Sequence, residues 1–319
     1  MQTNCEGCAG CCVDWRPLGG APDHERRGRY RALDDTYNLV PLTSDEVRAF
    51  LAAGLVDALA PRLFVVGSDE SDDSDTDTSD GDTPTVPTVE VDDYRLPAAD
   101  GRPLFAVGLR TVPKPVAPFD TPTRWLETCV FLDPETLQCR IHDTAEYPRT
   151  CRTYPGHNLA LETETECGRV ERAHGTPGER LVDGEPPAER PPSPFGPQAL
   201  GGTVFAHPEP DALAGTVARV ANEEPTPADC ATFVGVAAAS TPGSLAVDES
   251  RRERATERIR ETADESWAAA AAADWERAAD RDRAVDGDGR GHLATDPPDP
   301  SVVEEARGAP STPGWDAVE

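Results

Sequence analysis

The sequence predicts an α+β chain: a small irregular domain gathered around cysteines over residues 1–173, followed by a helical C-terminal extension. Three observations predict it. Eight of the nine cysteines fall into two blocks, one at residues 5–12 and one at residues 129–167. An Asp100-Gly101 pair lies between extended segments, which is the signal of a type I′ hairpin turn. An apolar stripe at helical spacing runs through residues 249–285.

Taken in order, residues 42–60 read as an amphipathic helix. Thr43 and Glu46 form a capping box, Val47, Phe50, Leu51 and Leu55 recur on one face, and Pro61 ends the run. Residues 68–82 contain eight acidic residues and almost nothing to bury, so 68–93 is expected to be a disordered acidic insert. Residues 94–110 form the hairpin. The stretch 174–210, with Pro186-Pro187 and Pro191-Pro192, reads as a proline-rich linker. A helical region is expected over 211–285: a short helix through Leu213, Val217 and Val220, then one long helix from 249 to 285. The long helix carries Ile259, Ala263, Trp267, Ala271, Trp275 and Ala278 on one stripe. Its two tryptophans are expected to pack rather than to form a ligand platform. The tail, 286–319, is acidic and proline-rich and is expected to be disordered.

Acidic residues number 59 and basic residues 30, for a net charge of −29, and Lys114 is the sole lysine. Such a charge repels nucleic acid and anionic membranes, so neither is expected as a partner. The composition is that of a halophilic chain, in which a Debye length of ~3 Å at 1 M salt removes most self-repulsion. The N-terminus lacks a basic segment followed by an apolar run. No stretch approaches the ~20 apolar residues of a membrane span. The expected location is cytoplasmic, where thiols stay reduced. That location and the odd cysteine count argue against a disulfide framework.

The cysteines carry the chemistry. "CEGCAGCC" places Cys5, Cys8, Cys11 and Cys12 in eight residues; the second block supplies Cys129, Cys139, Cys151 and Cys167. Thiolates bind zinc and iron strongly, and Cys-x-x-Cys lets two sulfurs face one ion. Cys5-x-x-Cys8-x-x-Cys11 also equals the opening of the bacterial ferredoxin run, but Cys12 follows at once instead of a fourth cysteine three residues on. Further ligands must be Cys12 or come from the second block. In an extended backbone Cys11 and Cys12 point to opposite sides, so that each serves one of two centres or one stays free; in a turn both can reach one ion. Eight sulfurs complete two four-coordinate centres. No thioredoxin-like frame surrounds the pair. Cys230 stands apart, and is expected to be a small buried apolar side chain.

These blocks resemble the YkgJ-like family, cysteine-cluster proteins described as zinc- or iron-chelating. The opening Cys-x-x-Cys-x-x-Cys-Cys is matched by Cys5, Cys8, Cys11 and Cys12, and its Leu-Thr helix start by "LTSDEV". Cys129, Phe131 and Leu132 match "C-x-F-L"; Cys139 and Ile141 match "C-x-I-Y"; Pro148, Cys151, Arg152 and Pro155 match "R-P-x-x-C-R-x-x-P". Cys167 resembles the family's later cysteine position. His142 stands where the family has tyrosine, and Tyr147 where it has arginine. The resemblance covers residues 1 to 173 without the acidic insert, and implies a metal-centred fold that chelates zinc or iron, a four-iron cluster included.

Three functions follow as expectations: a metal- or cluster-binding protein whose C-terminal helix contacts a protein partner; an iron–sulfur enzyme related to the flagellin lysine methylases, which carry a similar cluster; and a metal-storage or sensing protein. No glycine-rich loop for S-adenosylmethionine and no radical-enzyme Cys-x-x-x-Cys-x-x-Cys spacing is present.

Overall fold

A computed structural model describes residues 1–19, 30–34, 36–66, 87–175, 180–193, 198–222, 225–263, 265–286 and 291–317. Its strands are β1 (Gln2–Thr3), β2 (Tyr30–Ala32), β3 (Leu59–Val66), β4 (Thr88–Val91), β5 (Tyr94–Ala99), β6 (Arg102–Leu109), β7 (Thr111–Val116), β8 (Arg124–Cys129), β9 (Val182–Asp183) and β10 (Phe205–Ala206). Its helices are α1 (Ser44–Ala52), α2 (Arg149–Thr153), α3 (Gly156–Ala160), α4 (Glu166–His174), α5 (Thr216–Ala221), α6 (Pro227–Ala239), α7 (Glu249–Thr262), α8 (Trp267–Asp286) and α9 (Pro300–Val303). The fold is α+β, with an antiparallel sheet in the order β2-β3-β6-β5-β4 and β10 also paired to β6.

The hairpin forms where Asp100-Gly101 places it. Both residues take positive φ, 52° and 71°, and Ala99 pairs with Arg102. The capping box also forms: Thr43 Oγ1 accepts from the Glu46 N–H, and Glu46 accepts from the Thr43 N–H. The helix itself is shorter than 42–60. It stops at Ala52, and Gly54 (φ 72°) turns the chain. Pro61 lies inside β3, paired with Val107.

The expected separation of a helical part from a cysteine part does not hold. One apolar core takes Phe50 from α1, Leu63 and Phe105 from the sheet, Phe131 beside the cysteines, and Phe233 and Ile259 from α6 and α7. The stretch expected to be a linker supplies β9, paired to β1, and β10, whose Phe205 is fully buried. The single helix over 249–285 is two helices, broken at Ala263, whose ψ of 137° is extended. Both tryptophans pack, as expected. Trp267 meets Phe131, and Trp275 meets Trp125 at 6.1 Å between centroids.

The tail is the largest correction. Residues 291–317 are ordered against the rest of the chain, and Glu304 is buried at 0 % exposure. Two buried cations draw this carboxylate in, an effect the tail's overall polarity conceals. Of the expected acidic insert, 68–86 lies outside the described residues, while 88–91 form β4. No helix among the described residues is long and apolar enough to cross a membrane.

Candidate metal centre

The first cysteine block is a coil of tight turns. The Cys8 N–H donates to the Cys5 carbonyl (3.1 Å) and the Cys12 N–H to the Ala9 carbonyl (2.8 Å), with Gly7 and Ala9 at positive φ. A Cβ on Gly10 would meet Val170 at 2.8 Å, so only glycine lets this coil sit against α4. The Gly10 N–H also points at Cys8 Sγ (3.5 Å).

The second block arrives from β8, which pairs with β7. Pro113 and Pro115 alternate along β7, tolerated because among the described residues it pairs with β8 alone, in a two-stranded ribbon. At its end Cys129 begins a turn, and Leu132 bridges to Cys139. Cys151 rides on α2. Cys167 sits in the first turn of α4, which Thr165 caps by accepting from the Gly168 N–H.

The two blocks meet. The Cys129 N–H donates to the Cys12 carbonyl at 2.7 Å, and Val13 bridges to Thr128. The eight cysteines of the two blocks line one large cavity of about 1340 Å³, and Cys230 lines it too. Cys11 and Cys12 lie in a turn, with their sulfurs 3.8 Å apart.

Burial keeps most of these thiols protonated. It pushes Cys8 and Cys139 up to about 12 and Cys5 up to about 11, and it raises Cys129, Cys151 and Cys167 as well. Cys11 is the exception: hydrogen bonding from Cys12 lowers it and raises Cys12 in return. After burial, the neighbours that matter differ. Cys167 feels Cys11, Cys8 and Cys5. Cys151 feels Cys129, Cys11 and Cys139. Cys12 feels Cys129 and Cys151 besides Cys11.

Behind the Cys129–Cys139 turn lies a charge network that the sequence reading missed. Lys114 is fully buried; its ammonium donates to the Val130 and Leu132 carbonyls (2.8 and 2.7 Å) and pairs with Glu304. Arg140, next to Cys139, pairs with Glu304 (2.5 Å) and Asp133 (3.2 Å). The one available signal was that Lys114 is the sole lysine in an arginine-rich chain. Beside Cys167, burial pushes Glu166 up to about 7, against the opposing hydrogen bond from Trp15 Nε1 (3.2 Å); the Tyr37 hydroxyl also donates to Glu166 (2.9 Å).

His142 is exposed and packs on the Tyr147 ring, 4.7 Å between centroids. Cys230, half-buried on α6, has Arg110, Asp229, Arg62 and Asp57 as its charged neighbours rather than the other cysteines.

The donor set suits zinc or iron in kind: soft sulfurs along one cavity, with Cys5 and Cys11 exposed and the other six buried or half-buried. Among the described residues no three His, Cys, Asp or Glu side chains converge closely enough to hold one ion. The 3.8 Å between Cys11 and Cys12 does equal the sulfur–sulfur edge of a zinc tetrahedron with ~2.3 Å bonds.

No curated protein and no solved structure matches the chain. A family of unknown function, DUF7531, matches residues 1–316. The chain therefore belongs to that family.

Proposed function

We propose that this protein chelates zinc or iron through Cys5, Cys8, Cys11, Cys12, Cys129, Cys139, Cys151 and Cys167, in the manner of the YkgJ-like proteins its cysteine blocks resemble. One observation carries the reading: two blocks more than a hundred residues apart in sequence line the same cavity. Cys230 lines that cavity as well, but the two blocks also touch directly, through the Cys129 N–H donating to the Cys12 carbonyl at 2.7 Å. Thiolate centres supply ~10–16 kcal/mol of apparent binding free energy, which becomes folding free energy. In this reading the sulfurs add a metal tie to turns already held by backbone hydrogen bonds.

Anaerobic purification with metal analysis and an absorption spectrum tests this. Zinc leaves the sample colourless and an iron–sulfur cluster turns it brown. A metal-free chain in which all nine cysteines are alkylated without denaturant overturns the proposal.

A second reading is an iron–sulfur enzyme, related to the flagellin lysine methylases. The size of the cavity favours it. At about 1340 Å³ it extends past the sulfurs to Arg62, Arg110 and Glu276, and exceeds the ~300–1,000 Å³ of ordinary ligand pockets. Reductive titration of the purified chain, followed by its absorption, distinguishes a redox-active cluster from a zinc site.

A further inference from the structure

The tail is held in two different ways along its length. Up to Ala309 it is anchored by burial: Val303, Glu304 and Ala309 are all buried. From Pro310 to Ala317 no residue is buried, and none joins an apolar cluster of the core. Polar contacts hold this last stretch. The Pro310 carbonyl accepts from Arg140 Nη1 (2.7 Å), and Thr312 Oγ1 donates to Asp133 Oδ2 (2.9 Å). The Thr312 and Thr136 hydroxyls meet at 2.8 Å, and the Gly314 N–H donates to Gln138 Oε1 (2.8 Å). All four contacts run to residues 133–140, the turn that leads from Cys129 into Cys139.

The same stretch reaches the cavity. Pro313 and Trp315 line it together with Gln138, Cys139 and His142. Trp315 is half-buried, and its shielded Nε1–H finds no acceptor among the described residues. A donor shielded in this way gives up its bond to water without replacing it. Docking the ring therefore carries a cost that undocking relieves. A segment with few buried apolar contacts opens at a free energy well below that of global unfolding. The anchor does not share that weakness, because Glu304 is held by Lys114, Arg140 and Trp275.

We propose that residues 310–317 form a strap that gates the cysteine cavity. Docked along the 133–140 turn, it closes the wall beside Cys139; it opens while the anchor at Glu304 stays in place. The Cys139 side of the cavity thus has an entrance whose opening is set by the tail. The proposal stands on the cavity and its wall, and goes beyond the chelation reading without needing it.

Two measurements on the full chain test it. In the first, wild type, Trp315→Ala and Thr312→Val are alkylated with iodoacetamide in excess EDTA, so that bound metal does not mask a thiol. Labelling is followed at each cysteine by mass spectrometry. Both variants are expected to label Cys139 about fivefold faster than wild type, the population change that follows when the docked state loses about one hydrogen bond. Cys5, exposed and in the first block, is expected to label at the wild-type rate. Equal Cys139 rates in all three proteins overturn the strap. So does an equal acceleration of Cys5, which marks loosening of the whole chain. The second measurement needs no variant. In hydrogen exchange of the wild type, the Gly314 N–H is expected to exchange well before the Glu304 and Ala309 N–H groups, which donate to the Pro300 and Glu304 carbonyls. Equal protection of all three overturns independent opening. A wild type purified without metal sinks chelation and leaves both tests of the strap as they stand.

Discussion

Lys114 Nζ lies 2.6 Å from the Glu304 carboxylate, and neither side chain has any exposed surface. The two residues are far apart in sequence, one on β7 and one in the tail. Trp275 Nε1 donates to the same carboxylate at 2.8 Å, and Arg140 Nε meets its other oxygen. Glu304 thus fastens the tail and α8 to the turn that carries Cys129 and Cys139.

Removing one partner of a buried ion pair leaves the other uncompensated, at a cost of ~3–5 kcal/mol. Glu304→Ala is therefore expected to destabilise the protein by about that much, measured by denaturant unfolding. Adding Lys114→Met to Glu304→Ala is expected to recover part of the loss, because one of the orphaned charges goes. A loss below about 1 kcal/mol for Glu304→Ala, the size of an exposed pair, contradicts the buried network.

Glu46 joins two elements at the site. Its Oε2 accepts from the Thr43 N–H to close the capping box, and its Oε1 accepts from the Arg149 N–H at 2.5 Å, at the start of α2. Thr43→Ala is expected to cost ~1 kcal/mol, the ordinary worth of an N-cap. Glu46→Ala is expected to cost more and also to lower metal retention, since it frees the helix bearing Cys151. Thermal unfolding and metal content of both variants check this. Equal metal retention in the two variants contradicts the second role.

His207 supplies a pH dependence. It is buried against Phe105 and Phe233, and burial lowers it from 6.5 to about 4. The unfolded chain binds this proton between about pH 6.5 and 4, and the folded chain does not. Stability is thus expected to fall as pH drops through that window. His207→Asn keeps an acceptor for the Glu209 N–H and removes the titration. Its stability between pH 6.5 and 4 is expected to decline less steeply than that of the wild type. Identical slopes in urea unfolding contradict the assignment.

What the sequence revealed was local. The capping box, the Asp100-Gly101 turn and the cysteine spacings each lie within a few residues, so their signals survive without knowledge of the partner. The misses were long-range. Pro61 reads as a helix stop because nothing nearby announces that Val107 pairs with it. The tail reads as disordered because its one decisive side chain, Glu304, is set by Lys114 and Arg140 on other elements. The cysteine spacings pointed to a candidate site; that Cys12 and Cys129 share a backbone hydrogen bond emerges only from the fold.

Chelation by both blocks is tested most directly by metal content per chain in three serine variants. Cys8→Ser and Cys151→Ser are each expected to reduce bound metal and to lose ordered structure by circular dichroism, because each removes a ligand from a centre whose binding energy is folding energy. Cys230→Ser, whose charged neighbours are Arg110, Asp229, Arg62 and Asp57, is expected to keep full metal and a native spectrum. Full metal occupancy in both Cys8→Ser and Cys151→Ser contradicts chelation and leaves the cysteines as core residues or redox thiols.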